Sequence, residues 1–187
     1  EDARVGLRPF LTQLENSAES KENQLTFRYL NFDVLLTNPP FAGDNPEIGL
    51  LRQYELARKD GGKLRNNVDR HILFIERTLD MIRPGGRLAI VLPQGVLNNT
   101  NMEYIREWLF NKARILAVVG LHGNTFKPHA GIKTSVLFLQ KWGSEAGEPL
   151  KDYPIFMAVS KKGGKDNSGD YIYKKDKKRN YATDGKG

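Results

Sequence analysis

At 187 residues, with 39% apolar and 27% charged side chains, the chain is long enough to bury one real core and has a globular composition. No apolar run approaches membrane-spanning length, no apolar segment follows Glu1-Asp2 as a secretion signal would require, and the absence of cysteine excludes disulfides and thiolate metal sites, so a cytoplasmic protein with no membrane partner is expected. A net charge of +7 suits a polyanion partner, but Lys161, Lys162, Lys165, Lys174, Lys175, Lys177, Lys178, Arg179 and Lys186 crowd the last 27 residues, where a solvated basic tail is the plainer explanation.

Residues 1–31 are polar and weakly periodic, with Pro9 and a Ser-Ala-Glu-Ser-Lys-Glu-Asn stretch from Ser17 to Asn23, and read as a poorly defined lead-in. Leu25 to Tyr29 alternates and is a candidate short strand. From Phe32 to Thr37 a β-branched and leucine-rich run predicts a buried parallel strand that delivers Asn38-Pro39-Pro40-Phe41 at its carboxyl end. That is where open α/β sheets keep their ligands. Pro39 and Pro40 cannot donate to a ladder and bias the preceding residue toward extended backbone, so Asn38 is presented on a stiff, non-helical segment.

The chemistry on offer there is hydrogen-bond acceptance beside an aromatic ring. The Asn38 amide oxygen and the Pro39 carbonyl can converge on one exocyclic NH2 group, and Phe41 can stack on the planar ring that carries it. Such acceptors would aim the nitrogen lone pair at an electrophile without any acid, base or nucleophile from the protein. Asn-Pro-Pro is also a rigid turn that could simply end a core strand.

Beyond the motif, Gly43 to Pro46 reads as a loop and Glu47 to Arg58 as a helix with Ile48, Leu51 and Tyr54 on one side, broken by Lys59-Asp60-Gly61-Gly62-Lys63. Val68, Ile72, Ile75, Leu79 and Ile82 recur at helical spacing and predict a helix from about Asp69 to Ile82. Arg83-Pro84-Gly85-Gly86 ends it, and Arg87 to Pro93 follows as a second buried strand, parallel to the first. Thr100 and Glu103 have capping-box spacing ahead of a helix from about Asn101 to Lys112. Arg114 to Gly120 and Thr134 to Lys141 are strands close enough to pair antiparallel across the excursion Leu121–Lys133, and Tyr153 to Val159 is a last strand, suited to an edge.

Several constellations fall away. His122 and His129 share a loop but lack a third ligand, His71 opens a helix and reads as structural, and Ser135 has neither a local base nor elbow glycines. Gly62-Lys63-Leu64 and Gly131-Ile132-Lys133-Thr134 only brush against phosphate-loop endings.

With Asn38-Pro39-Pro40-Phe41, Arg83-Pro84-Gly85-Gly86-Arg87 before a Leu-Ala-Ile-Val-Leu-Pro strand, Gly131-Ile132-Lys133-Thr134 and Ile155-Phe156-Met157-Ala158, the chain from Phe32 to about Asp170 resembles DNA methyltransferases that modify the amino nitrogen of adenine, in particular modification subunits of type I restriction systems. The resemblance implies an α/β fold, a Rossmann-like S-adenosylmethionine-dependent sheet with one reversed strand, present as a carboxyl-terminal half over residues 32–160, with residues 161–187 as a basic, flexible tail. It implies that Asn38 and Pro39 hold the adenine amino group, that Asn38 also borders the cofactor, that Phe41 stacks on the base, and that Pro40 sets the loop geometry. Phe126 is a candidate second aromatic against the base, equally a loop anchor, and Lys133 a candidate phosphate contact. Reaching the buried nitrogen implies base flipping, at a few kcal/mol.

The implied cofactor is S-adenosylmethionine; the implied partners are double-stranded DNA, a specificity subunit or domain and a restriction subunit. One departure stands beside the match: only 31 residues precede the Phe32 strand and they hold a single glycine, Gly6, so the glycine-rich cofactor turn is missing. The sequence is expected to belong to a longer or split enzyme, and by itself to bind the cofactor poorly and not turn over. RNA or a protein glutamine amide as acceptor, and a non-catalytic assembly or DNA-contact module, stay open.

Overall fold

A computed structural model describes residues 31–143 and 147–173. The candidate strand at Leu25–Tyr29 and the lysines from Lys174 onward lie outside the described residues. A five-stranded sheet carries the fold: β1 (Phe32–Thr37), β4 (Ile82–Pro93), β6 (Thr134–Lys141), β5 (Ala113–Gly120) and β7 (Phe156–Val159), in that spatial order. β1 pairs parallel with β4, as the strand–helix–strand pattern between them requires, and β5 parallel with β7, whereas β6 runs antiparallel to both β4 and β5. The return from β5 through residues 121–133 contains no helix to carry a parallel crossover, which suits that reversal. β7 lies at one edge, and β1 at the other.

Apolar alternation decides which face is covered. Leu88, Ile90 and Leu92 of β4 and Leu137 and Leu139 of β6 point to one side, into a core shared with two helices. Ile72, Ile75 and Leu79 come from α2 (Arg70–Met81), and Ile105 and Leu109 from α4 (Glu103–Lys112). Val68 and Ile82 flank α2 and are buried with it, so the whole predicted stripe faces the core.

β1 departs from the expected buried strand. Val34 is 60% and Leu36 76% exposed. Parallel sheets become buried because helices cover both faces; the described helices cover only one, and Val34 and Leu36 face away from it. Leu35, on the covered side, is packed against the core.

Arg83 to Gly86 proves to be more than a helix stop. Phe32 pairs with Ile82 and Val34 with Arg87, so the strand slips register across Pro84 and the two glycines. A Cβ at Gly86 would stand 2.9 Å from the carbonyl oxygens of Phe32 and Arg83. Only a residue without a side chain lets the two backbones approach this closely. Arg83 Nε donates to Asp33 Oδ1 at 2.6 Å across the same junction.

Two expected helix features are corrected. The helix predicted over 47–58 is reduced to α1 (Ile48–Leu51), after which the backbone amides of Glu55 and Leu56 donate to the buried carboxylate of Glu76, at 2.8 and 2.9 Å, in place of helical partners. Glu55 in turn accepts from Trp108 Nε1 at 2.7 Å and from Lys112 Nζ at 3.1 Å, which ties the segment to α4. The capping box at Thr100 and Glu103 does not form: Thr100–Met102 is a 3-10 turn leading into α4, with no side-chain cap. A further short helix, α3 (Gly95–Asn98), stands between β4 and that turn. The break at Lys59 to Lys63 holds as a turn, closed by the Lys59 amide donating to the Lys63 carbonyl at 2.8 Å, with Gly61 and Gly62 both at positive φ.

His71 shows how the buried side of α2 responds to pH. It is 5% exposed, its Nδ1 has no partner, and burial holds its pKa below the usual histidine value of 6.5 although Asp69 opposes the shift. The unfolded chain then takes up a proton near pH 6.5 that the folded chain refuses, so stability is full above that pH and falls as pH drops toward the lowered folded value. Urea midpoints taken from pH 8 to pH 5 should show this loss, and a His71→Phe variant should flatten that part of the profile.

Candidate active site

The site is built at the carboxyl end of β1. Asn38, Pro39 and Pro40 leave the sheet without regular structure; Pro39 is buried, Asn38 and Pro40 are exposed, and Phe41 is half-buried. No described residue bonds the Asn38 amide, so both its acceptor and its donors face outward on a backbone stiffened by two prolines. Burial of Pro39 anchors the motif while its neighbours stay accessible.

The chain after Phe41 is fastened to α2. Gly43 sits at φ +93°, a value that favours glycine, and its carbonyl accepts from the Arg70 amide at 3.0 Å. A two-residue antiparallel pair follows, β2 (Asp44–Asn45) with β3 (Val68–Asp69), and Asn67 Nδ2 donates to Asp44 Oδ2 at 2.6 Å. The exit of the motif and the start of the core helix are thus one rigid unit.

Phe126 is brought to the motif from 85 positions further along the chain. Its ring meets that of Phe41 with centroids 5.0 Å apart and planes at 83°, an edge-to-face pair. The two rings thus meet in an edge-to-face corner beside the motif. The exposed Asn38 amide is three residues away from that corner.

Lys133 is placed at the base of the same loop. Its side-chain stem lies against Gly123, its carbonyl accepts from the Gln94 amide at 2.9 Å, and its exposed ammonium is directed to solvent. Lys133 therefore shares the loop of Phe126 without touching the motif. Asn38, Pro39, Pro40 and Phe41 contain no ionisable side chain, so the chemistry available at the motif is acceptance of hydrogen bonds and stacking.

A cofactor cradle of glycine-rich turn and acidic side chain, as Rossmann-like sites use, is not found among the described residues, where β1 is the outer strand. Among the described residues no helix is long and apolar enough to cross a membrane.

Sequence reasoning did not find Asn124 or the segment 163–171, which packs behind the Phe126 loop. His122, set aside as a metal ligand, accepts the Asn124 amide at Nδ1 at 3.2 Å and so shapes that loop. The lysines of this stretch suggested only a solvated tail, and no local periodicity marks a loop that gains its order from another loop.

A sheet with a single reversed strand and a polar motif at the end of a parallel strand defines the S-adenosylmethionine-dependent methyltransferase fold. It superposes on a Listeria monocytogenes protein described as a class I S-adenosylmethionine-dependent methyltransferase with a TM-score of 0.57 at 23% identity, over 69% of this chain and 36% of that one. The chain belongs to the N-6 DNA methylase family, whose profile matches residues 10–181.

Among curated relatives, the EcoEI type I restriction enzyme methylase subunit of Escherichia coli is 31% identical over 121 residues, 64% of this chain and 22% of that protein. The type I restriction-modification methyltransferase subunit of Streptococcus thermophilus superposes with a TM-score of 0.53 at 25% identity, over 83% of this chain and 30% of its own. The chain thus spans about a fifth of the length of the curated type I relatives it matches, 22% for the EcoEI and 18% for the EcoKI subunit.

Proposed function

We propose that the chain forms the acceptor side of an adenine-specific DNA methyltransferase of a type I restriction-modification system. The observation that carries this reading is the Phe41–Phe126 corner next to an exposed Asn38 on an Asn-Pro-Pro backbone. Asn38 Oδ1 and the Pro39 carbonyl accept the two N–H bonds of the adenine amino group. Holding both hydrogens in place would turn the nitrogen lone pair toward the methyl donor, so that a C–N bond could form as the C–S bond of the sulfonium breaks, and the proton the amine then gives up would pass by way of these acceptors to water. Phe41 and Phe126 take the base out of the stack, replacing its neighbours in the duplex. Pro40 fixes the spacing between amide and ring.

S-adenosylmethionine, when bound, supplies an electrophilic methyl group on a sulfonium. Asn38 borders it, and the remaining cofactor contacts come from outside the described residues. Lys133 pairs with a DNA phosphate near the flipped nucleotide, a contact sensitive to salt. Double-stranded DNA, a specificity subunit and a restriction subunit are the partners this reading requires, and a cytoplasmic location goes with it.

The test is labelled-methyl transfer by the native full-length protein with its partner subunits, offered unmodified DNA, RNA and protein acceptors in parallel. Label in adenine of DNA is the expected result. Label in RNA or in a glutamine amide instead would transfer the same site to another substrate, and no label in any acceptor would leave a non-catalytic assembly role.

A further inference from the structure

The residues after β7 are not a loose continuation of it. From Gly164 to Ile172 they close on themselves: the Ile172 amide donates to the Gly164 carbonyl at 2.9 Å, and Lys165 and Tyr171 form a bridge. Asp166 Oδ1 gathers the backbone amides of Ser168, Gly169 and Asp170 at 2.9, 2.9 and 3.0 Å. A carboxylate accepting three backbone N–H groups fixes a turn strongly.

This small hairpin grips the loop that carries Phe126. Asn124 Nδ2 donates to the Lys165 carbonyl at 3.2 Å and to Asn167 Oδ1 at 3.1 Å. Lys127 Nζ donates to the Asn167 carbonyl at 2.8 Å, and Lys165 Nζ donates back to the Lys127 carbonyl at 2.7 Å. Both lysines are thereby engaged in holding the two loops together. Gly163 and Gly169 allow the approach: a Cβ would stand 2.6 Å from His122 Nδ1 at the first and 2.6 Å from the Pro128 nitrogen at the second. The bonds fall on Asn124 and Lys127, on either side of Phe126, while its ring is turned to Phe41.

We infer that the 163–171 hairpin is a clip that positions Phe126 against Phe41, with Asn124 and Asp166 as its positioning residues. The inference rests on the proposed adenine-methylating site and deepens it. Without the clip, residues 122–130 rely on their own turns, from the Thr125, Lys127 and Ala130 amides and from the Asn124 amide and Thr125 hydroxyl on His122, and on the contact that the Phe126 ring keeps with Phe41. The aromatic corner then forms in a fraction of molecules, and capture of the flipped base falls by that fraction. A ring displaced by about 1 Å costs on the order of 10²-fold in rate.

Asn124→Asp, Asp166→Ala and Asp166→Asn in the full-length protein with its partner subunits test this. Asn124→Asp removes both donors without changing size; Asp166→Asn keeps an oxygen acceptor that Asp166→Ala lacks. Three quantities are read: hydrogen exchange of the 121–133 peptide, the fluorescence rise of 2-aminopurine placed at the target position, and kcat beside the DNA and S-adenosylmethionine KM.

The clip predicts faster exchange, a smaller fluorescence rise and a kcat lower by roughly 10- to 100-fold in Asn124→Asp and Asp166→Ala, with both KM values and the melting temperature within twofold or a few degrees of the parent, and Asp166→Asn close to the parent throughout. Faster exchange with fluorescence and kcat unchanged overturns the positioning role, and unchanged exchange overturns the clip itself. A parent protein that shows neither fluorescence rise nor transfer overturns the methyltransferase reading, while the exchange arm still reports on the clip.

Discussion

Replacing Asn38 by alanine in the full-length protein is expected to lower methyl transfer by about 10²–10³-fold or more, the scale set by removing one preorganised hydrogen-bonding group from a reacting centre. The side chain is exposed and no described residue bonds it, so the fold loses nothing with it. Circular dichroism and the melting temperature should therefore match the parent. The loss should appear in kcat more than in the DNA KM, because on the proposed reading the amide acts on the amino group only after the base has reached Phe41 and Phe126. Asn38→Asp separates the parts played by acceptor and donor: it keeps an oxygen at Oδ1 but adds a negative charge near the cofactor. Its activity should lie between those of the parent and the alanine variant. Transfer by Asn38→Ala at the parent rate would remove Asn38 from the chemistry and return the motif to a turn that ends a strand.

Glu76 is the position where the largest loss of stability is expected. Its side chain is 5% exposed, within the helix that forms the core, and it accepts the amides of Glu55 and Leu56. Glu76→Ala leaves two buried or half-buried N–H groups without partners, each worth about 1–3 kcal/mol, so unfolding free energy should fall by about 2–6 kcal/mol in urea titrations. Burial acts first on the carboxyl and pushes its pKa above the usual 4.5, against the two amide bonds, which lower it.

Since the folded pKa is raised, the group favours the fold below the unfolded value and loses that contribution as pH rises through the folded one. Glu76→Gln keeps the shape and one oxygen acceptor, so it should cost less than Glu76→Ala and should lack this pH dependence. A Glu76→Ala variant as stable as the parent would mean that water reaches both amides. The consequence for the site is indirect: α2 begins at Arg70, whose amide holds the Gly43 carbonyl after the motif. Loosening α2 loosens the exit of Asn-Pro-Pro-Phe.

Length, periodicity and punctuation determined much of this. The stripe from Val68 to Ile82 specified the core helix, and Leu88, Ile90 and Leu92 specified β4, because a 3.6-residue or two-residue repeat is visible wherever one side of an element is buried. The reversed strand was legible from the closeness of β5 and β6 in the chain together with the family resemblance, and Asn38 to Phe41 from residue type and strand context. In contrast, the helix expected over 47–58 gave way after Leu51 to a carboxylate on another element, Glu76, that offered its backbone better partners. The exposure of Val34 and Leu36 depends on what covers the sheet, which no strand encodes for itself.

Tertiary structure alone decided the rest of the site. Phe126 meets Phe41 because β6 pairs antiparallel with β4, which brings the β5–β6 loop to the end of the sheet where β1 and β4 finish, and the 163–171 hairpin holds the Phe126 loop through single carbonyls, an amide and two glycines. Such contacts leave no repeat in the sequence: a hydrogen bond between two loops fixes neither a period nor a spacing, only a position in space.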